Sequence, residues 1–434
     1  MKKFVGLKKP PKAANDYNYS WDKEGQDLLS KIKDKTIKNS ESIKIIEKLF
    51  LSEELPQNLR LTFWYVCCGL DESMKEKKNE KYYKDLVRAF NIMVKREHPF
   101  YIYMRRKISL DIDRSFSNET IKTTKENVIQ LKNILEAFTV RNVSINYCQG
   151  LNGIVAYFLE TTNFKEQESF YLYKKILEDI LPYDYYLLGI GVQAEIIVLG
   201  KILEKFLPDL IEHLRNIEGD LLINNVFTNA ITSLLIYKTD RNITNFLMDC
   251  FFLFSRLMED KDDEVYFIMY KIILAIFKSI KDELMKCKNM SSVNGLLKFN
   301  IINQELMKKI IYNTFIDNEI TKNINYIKKL RNEEVDKILS GKKMYFNFQN
   351  ENNIACNVNY PLCVEEKDYS IPVDLYIIYR RANLFTDIKD IDFEENKKEL
   401  SDNEINDEKN ENDDNDDDKI LENIIIERRK HYCK

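Results

Sequence analysis

Apolar residues recur at spacings of three and four along most of the chain, as in Ile43, Ile46 and Leu49 and then Leu59, Phe63 and Val66. That is the period of a helix with one buried face. The same pattern predicts amphipathic helices near 80–96, 120–138, 150–161, 166–180, 192–215, 224–237, 243–258, 264–286 and 302–340. Short polar joins such as Asp240-Arg241-Asn242 separate some of them, and no repeat of fixed period points to a solenoid. Near residue 343 the texture changes. Met344, Tyr345, Phe346, Asn347 and Phe348 alternate like a short strand, and Pro361 and Pro372 interrupt regular structure. The longest apolar runs, 246–258 and 265–280, contain Asp249 and Arg256 or Lys271 and Lys278, and fall short of a bilayer-spanning segment.

Composition sharpens the fold class. Only 11 Gly and 8 Pro occur among 434 residues, too few turn-makers for a β-sandwich or a glycine-loop dinucleotide fold. The expectation is an all-α protein. Net charge is −4, unevenly spread: residues 399–418 hold eleven acids and one Lys, while residues 1–15 hold five Lys and no acid. The middle is therefore nearly neutral, which weighs against a nucleic-acid binder. Eight Cys occur without a C-x-x-C pair, and the three His are remote from them in sequence. No zinc site is indicated, and scattered thiols in a long chain suggest a reducing, cytoplasmic setting. Pro10 and Pro11 precede any apolar run, so no signal peptide is read.

The chain divides into a basic, disordered extension over 1–40, a helical domain over 41–335, an extension with mixed short elements over 336–390, and an acidic tail over 391–434. Most of that tail lacks the apolar residues needed to join a core and is expected to be dispensable for the fold. Its end differs, since Ile420, Leu421, Ile424 and Ile425 form a helical stripe able to dock on the body or on a partner.

Gly189-Ile190-Gly191-Val192-Gln193-Ala194 is a literal G-x-G-x-x-A that opens a helical stretch, as a dinucleotide fingerprint would. The preceding Pro182-Tyr183-Asp184-Tyr185-Tyr186 makes a poor parallel strand, and no βαβ alternation surrounds it. A connection between helices is the better reading, with a nucleotide-dependent enzyme as the rival. Gly341-Lys342-Lys343 lacks the first Gly and the hydroxyl of a phosphate loop. No catalytic triad is suggested, and Asp111 and Asp113, two apart, would diverge on a helix.

Three short patterns follow one another in order. Arg60 and Trp64 give R-x-x-x-W; Ile108, Asp111 and Arg114 give I-x-x-D-x-x-R; Tyr147, Gln149, Gly150 and Asn152 give Y-x-Q-G-x-N. Together they resemble the signature motifs of the TBC domain family, the helical GTPase-activating domain that acts on Rab GTPases. The resemblance continues through Arg114-Ser115-Phe116, Phe206-Leu207-Pro208-Asp209-Leu210 and the stretch 245–252, and covers roughly residues 45–335. Asn146 stands where the family often has Gly, and the family's usual Trp is missing before Asp249.

The resemblance implies an all-α domain supplying Arg114 and Gln149 in trans to a GTP-bound Rab-family GTPase, in vesicle traffic. GTP and Mg²⁺ are carried by that partner, and the chain needs no cofactor or metal of its own. It implies a GTPase activator, not an enzyme with its own substrate, with membrane contact at most peripheral. On pattern alone Arg114 could instead pair with Asp111 three residues earlier. Arg60 and Trp64 share a helix face and are read as structural, with Asp111 as an anchor for which Arg60 is a candidate partner. Ile108, Tyr147 and Gly150 support the site, Tyr147 by aiming Gln149. The main alternative is a catalytically silent scaffold of the same fold that binds a GTPase or a vesicle protein.

Overall fold

The structure is a computed structural model. It describes residues 29–34, 57–70, 77–112, 241–257, 265–297, 304–316 and 319–351, most of 115–219 and 228–236, and most of 417–424. Among the described residues regular structure is helical throughout, with no strand. The helices are α1 (Gln57–Cys68), α2 (Lys77–Lys95), α3 (Pro99–Ile112), α4 (Lys125–Arg141), α5 (Leu151–Thr161), α6 (Glu166–Lys175), α7 (Ile190–Phe206), α8 (Pro208–Glu218), α9 (Arg241–Leu257), α10 (Phe267–Ser279), α11 (Lys281–Leu284), α12 (Met290–Leu297), α13 (Gln304–Ile316), α14 (Glu319–Lys322) and α15 (Ile324–Glu351). A π-helical turn, Ile176–Ile180, extends α6.

The core is built around α4 and α5. Helix α4 starts on a capping box, with Thr124 accepting from the Asn127 amide and the Asn127 side chain accepting from the Thr124 amide. This satisfies two of the amide donors that a helix start leaves open. Every residue from Ile134 to Val140 is then buried, because α4 packs on α2, α3, α5 and α6. In α5 all eleven residues are buried, which its run of Ile154, Val155, Ala156, Tyr157, Phe158 and Leu159 permits. A bidentate Arg141–Glu178 pair ties the end of α4 to the π-helical turn. The second half is organised by α7 on α15 and α10 on α13, and α9 joins the halves by packing on both α1 and α10.

Sequence and structure part at several places, among them the single helices expected over 264–286 and 302–340, each of which is divided into shorter ones. The periodicity missed α3, whose Pro99 opens a helix at its first position. A single helix over 192–215 is divided at Leu207–Pro208, since Pro cannot donate into the preceding turn. The stretch 344–348 lies within α15 and is not a strand; five alternating residues are too few to set a period against a long helix already under way. Finally, pieces of both flanks join the body. Ile32 is fully buried, with Arg256 donating to the backbone oxygens of Ile32 and Lys33. Ile424 is only 4% exposed, and Asp417 pairs with Arg88.

Candidate functional site

The end of α3 turns two neighbours in opposite directions. Ile108 is fully buried and Asp111 is 6% exposed, whereas Leu110 between them is 79% exposed. Asp113 and Arg114 lie outside the described residues, but the positions on either side are fixed. Ser115 closes the helix end through its amide to the Ile112 oxygen at 3.1 Å and its hydroxyl to the Asp111 oxygen at 2.7 Å.

The segment leading into α5 is sewn to that helix end. Tyr147, buried, donates its hydroxyl to Asp111 Oδ2 at 2.6 Å. Asn152, in the first turn of α5, donates from Nδ2 to Ser115 Oγ at 2.9 Å and to the Asp111 oxygen at 3.3 Å. Its own Oδ1 accepts from the Gly150 amide at 3.1 Å. Lys107 Nζ donates to the Tyr147 oxygen at 3.4 Å, and burial lowers the pKa of this ammonium. The neighbouring Cys148 thiol is pushed up to about 12, chiefly by burial, so it is a poor nucleophile.

Gln149 is exposed, whereas Tyr147 and Gly150 on either side of it are buried. Gly150 has φ +108°, in the half of backbone space that suits glycine, and a Cβ placed there would sit 2.7 Å from the Thr232 oxygen. That oxygen also accepts from the Tyr186 hydroxyl at 2.9 Å. The turn is thereby pinned from below as well as from α3.

Arg60 and Trp64 act elsewhere. The expected Asp111–Arg60 pairing is replaced by another partner for each: Asp111 takes the Tyr147 hydroxyl, while Arg60 Nε and Trp64 Nε1 converge on Asp249, at 3.2 and 2.6 Å. Asp249 is fully buried, and burial pushes its carboxyl above the usual range against the pull of Arg60 and Trp64. The Trp64 ring lies 5.1 Å from Phe252 and 6.1 Å edge-on from Phe158, between centroids. Trp64 thus packs on α5, the helix that follows the Gln149 turn.

Asn152, Ser115, Thr232 and Tyr186 are the positions that sequence reasoning did not single out as site residues. Asn152 and Ser115 sat inside the quoted motifs, whereas nothing in the sequence signalled Thr232 or Tyr186. Gly191, the second glycine of G-x-G-x-x-A, has a packing purpose. A Cβ there would lie 2.4 Å from the Asp184 oxygen and 2.4 Å from Tyr185 Cα. The amides of Gly191 and Val192 donate to the Asp184 and Tyr185 oxygens, so these two first-turn donors are taken by backbone. Among the described residues no group of three or more His, Cys, Asp and Glu is arranged to hold a metal, and no helix is long and apolar enough to cross a membrane.

Comparison with known proteins identifies the family. The Rab-GTPase-TBC domain family matches residues 57–285, and the chain belongs to that family. It is 30% identical over 226 residues to TBC1 domain family member 2A of Homo sapiens, a match covering 50% of this chain and 22% of that protein. It is 27% identical over 255 residues to the growth hormone-regulated TBC protein 1 of Homo sapiens, covering 57% of this chain and 67% of that one. The solved structure of the Ypt/Rab-GAP domain of Gyp1p superposes with a TM-score of 0.54 at 16% identity, over 68% of this chain and 99% of that one. The chain thus spans about a fifth of the length of the TBC1 family relative, and the structural likeness is one of fold.

Proposed function

We propose that this chain is a GTPase-activating protein for a Rab-family small GTPase in its GTP-bound form, with Arg114 and Gln149 as the groups inserted in trans. During GTP hydrolysis negative charge spreads over the transferring phosphoryl group while a water is held in line, so a fixed cation and an amide are the useful additions. A guanidinium at Arg114 stays charged and forks onto phosphate oxygens. The carboxamide of Gln149 donates and accepts at once, which suits it to orient the water. An arginine supplied in trans is worth about 10³–10⁵ in rate, or roughly 4–7 kcal/mol of barrier. GTP and Mg²⁺ belong to the partner in this reading, and the chain acts in the cytoplasm, reaching vesicle membranes through the GTPase.

The observation that carries the proposal is the exposed Gln149 on a turn whose neighbours are buried and hydrogen-bonded to the helix end that precedes Arg114. An amide with no role in a partner's site has no need of such support. The test is a GTP-hydrolysis screen of the full chain against purified Rab GTPases. Stimulation of at least one member, lost in Arg114→Ala and in Gln149→Ala, is the expected result. Binding of a Rab without any stimulation would instead favour the silent scaffold.

A further inference from the structure

Helical spacing brings Lys81, Lys84, Arg88, Asn91 and Lys95 onto one line along the outside of α2. Lys81, Lys84, Arg88, Asn91 and Lys95 are all exposed. The helix holds six cations against two acids, Glu80 and Asp85, and Lys84 shares its charge with Glu80 at 2.6 Å. This is a basic face with no counterpart elsewhere on its own helix.

The counterpart is distant in sequence. Arg88 Nη2 donates to Asp417 Oδ1 at 2.8 Å across 329 residues of chain. Seven residues beyond Asp417, about 10 Å along a helix, Ile424 is buried in the main apolar cluster, and Ile420 and Leu421 pack against that cluster. Residues 399–418 carry eleven acids and one Lys, a charge of −10, and end at this contact.

We propose that the outer face of α2 is the docking surface for the chain's own acidic C-terminal segment, residues 399–424. The segment is anchored by Ile420, Leu421 and Ile424 and held down by attraction centred on Arg88 and Asp417. Tethering keeps the acidic tract at high effective concentration over the basic line, and salt screens the attraction, so the segment is a strap whose hold weakens as ionic strength rises. Because α2 packs on α3 and α4, the strap braces from outside the pair of helices that lead into and out of the Arg114 segment.

The test uses the full chain and no GTPase, so it reads the strap alone. A Glu-specific protease cleaves within 399–418, and hydrogen exchange is followed at 417–424, at ionic strengths of about 0.02 and 0.5 M, where the screening length falls from about 20 to about 4 Å. For the wild type, cleavage and exchange should be at least fivefold faster at high salt. Arg88→Glu should reach the high-salt rates already at low salt, and adding Asp417→Arg to it should recover part of the protection. Ile424→Asp should release the segment at both salt concentrations. The proposal is overturned if salt and Arg88→Glu leave the rates unchanged, or if Ile424→Asp does. Unaltered exchange in α4 serves as the control that each variant has folded.

Discussion

The Tyr147 hydroxyl reaches Asp111 Oδ2 at 2.6 Å across 36 residues of chain, and so couples the turn bearing Gln149 to the helix that leads to Arg114. Tyr147→Phe keeps the ring in its buried place and removes only this donor. Loss of one such hydrogen bond to a buried carboxylate costs about 1–3 kcal/mol, measurable by urea unfolding. Stimulation of the partner GTPase should fall further than that loss of stability explains, appearing in the maximal rate more than in the half-saturating GTPase concentration. Equal loss in both would mean that Tyr147 serves only the core.

Arg114→Ala and Gln149→Ala should each remove most of the stimulation while leaving thermal unfolding close to wild type. Arg114→Lys keeps charge but loses the planar fork and should recover little. Since both groups serve one transition state, the double variant should be scarcely worse than either single one. Single-turnover hydrolysis measures all four, and robust activity in the double variant would move the catalytic groups elsewhere.

Trp64→Ala removes a fully buried ring packed on Phe158 and Phe252 and should cost about 3–5 kcal/mol of stability. Asp249→Ala should match it, because the Arg60 guanidinium and the Trp64 N–H both lose their shared acceptor in the interior. Calorimetry on both variants decides this, and in the double variant the two costs should fall short of adding, as for residues in contact.

Gly150→Ala combines a positive φ with a Cβ 2.7 Å from the Thr232 oxygen. Backbone strain of about 1–3 kcal/mol adds to overpacking of about 1–3 kcal/mol. The expected outcome is a clear drop in melting temperature together with loss of stimulation. A variant that melts like wild type would show that the 228–236 segment yields easily.

How much of this was legible in the sequence depended on the range of the interaction. Helix positions came from local periodicity, so α2, α4, α5 and α9 were readable, whereas α3 was missed although its buried Tyr101, Met104 and Ile108 keep helical spacing, because Ile102, Tyr103 and the exposed Leu110 put further apolar residues off that face. The motifs placed Asp111, Tyr147 and Gly150 near one another, but the partner of each depends on contacts between helices far apart in the chain. Arg60 was therefore offered to Asp111 when its acceptor is Asp249, 189 residues away. At the tail the apolar stripe of Ile420, Leu421 and Ile424 was legible as able to dock, and what the sequence withheld was the surface it meets.

Helix α5 has no residue facing solvent, and Gln149 stands two positions before its first residue. Amides in such a helix exchange only when the whole unit opens, so the support beneath Gln149 persists for as long as the domain stays folded. The cost of ordering that end of the site is met once, during folding, and does not recur with each encounter. In the function proposed above, a GTPase arriving at this surface would meet a turn whose buried flank is set by the fold of the domain.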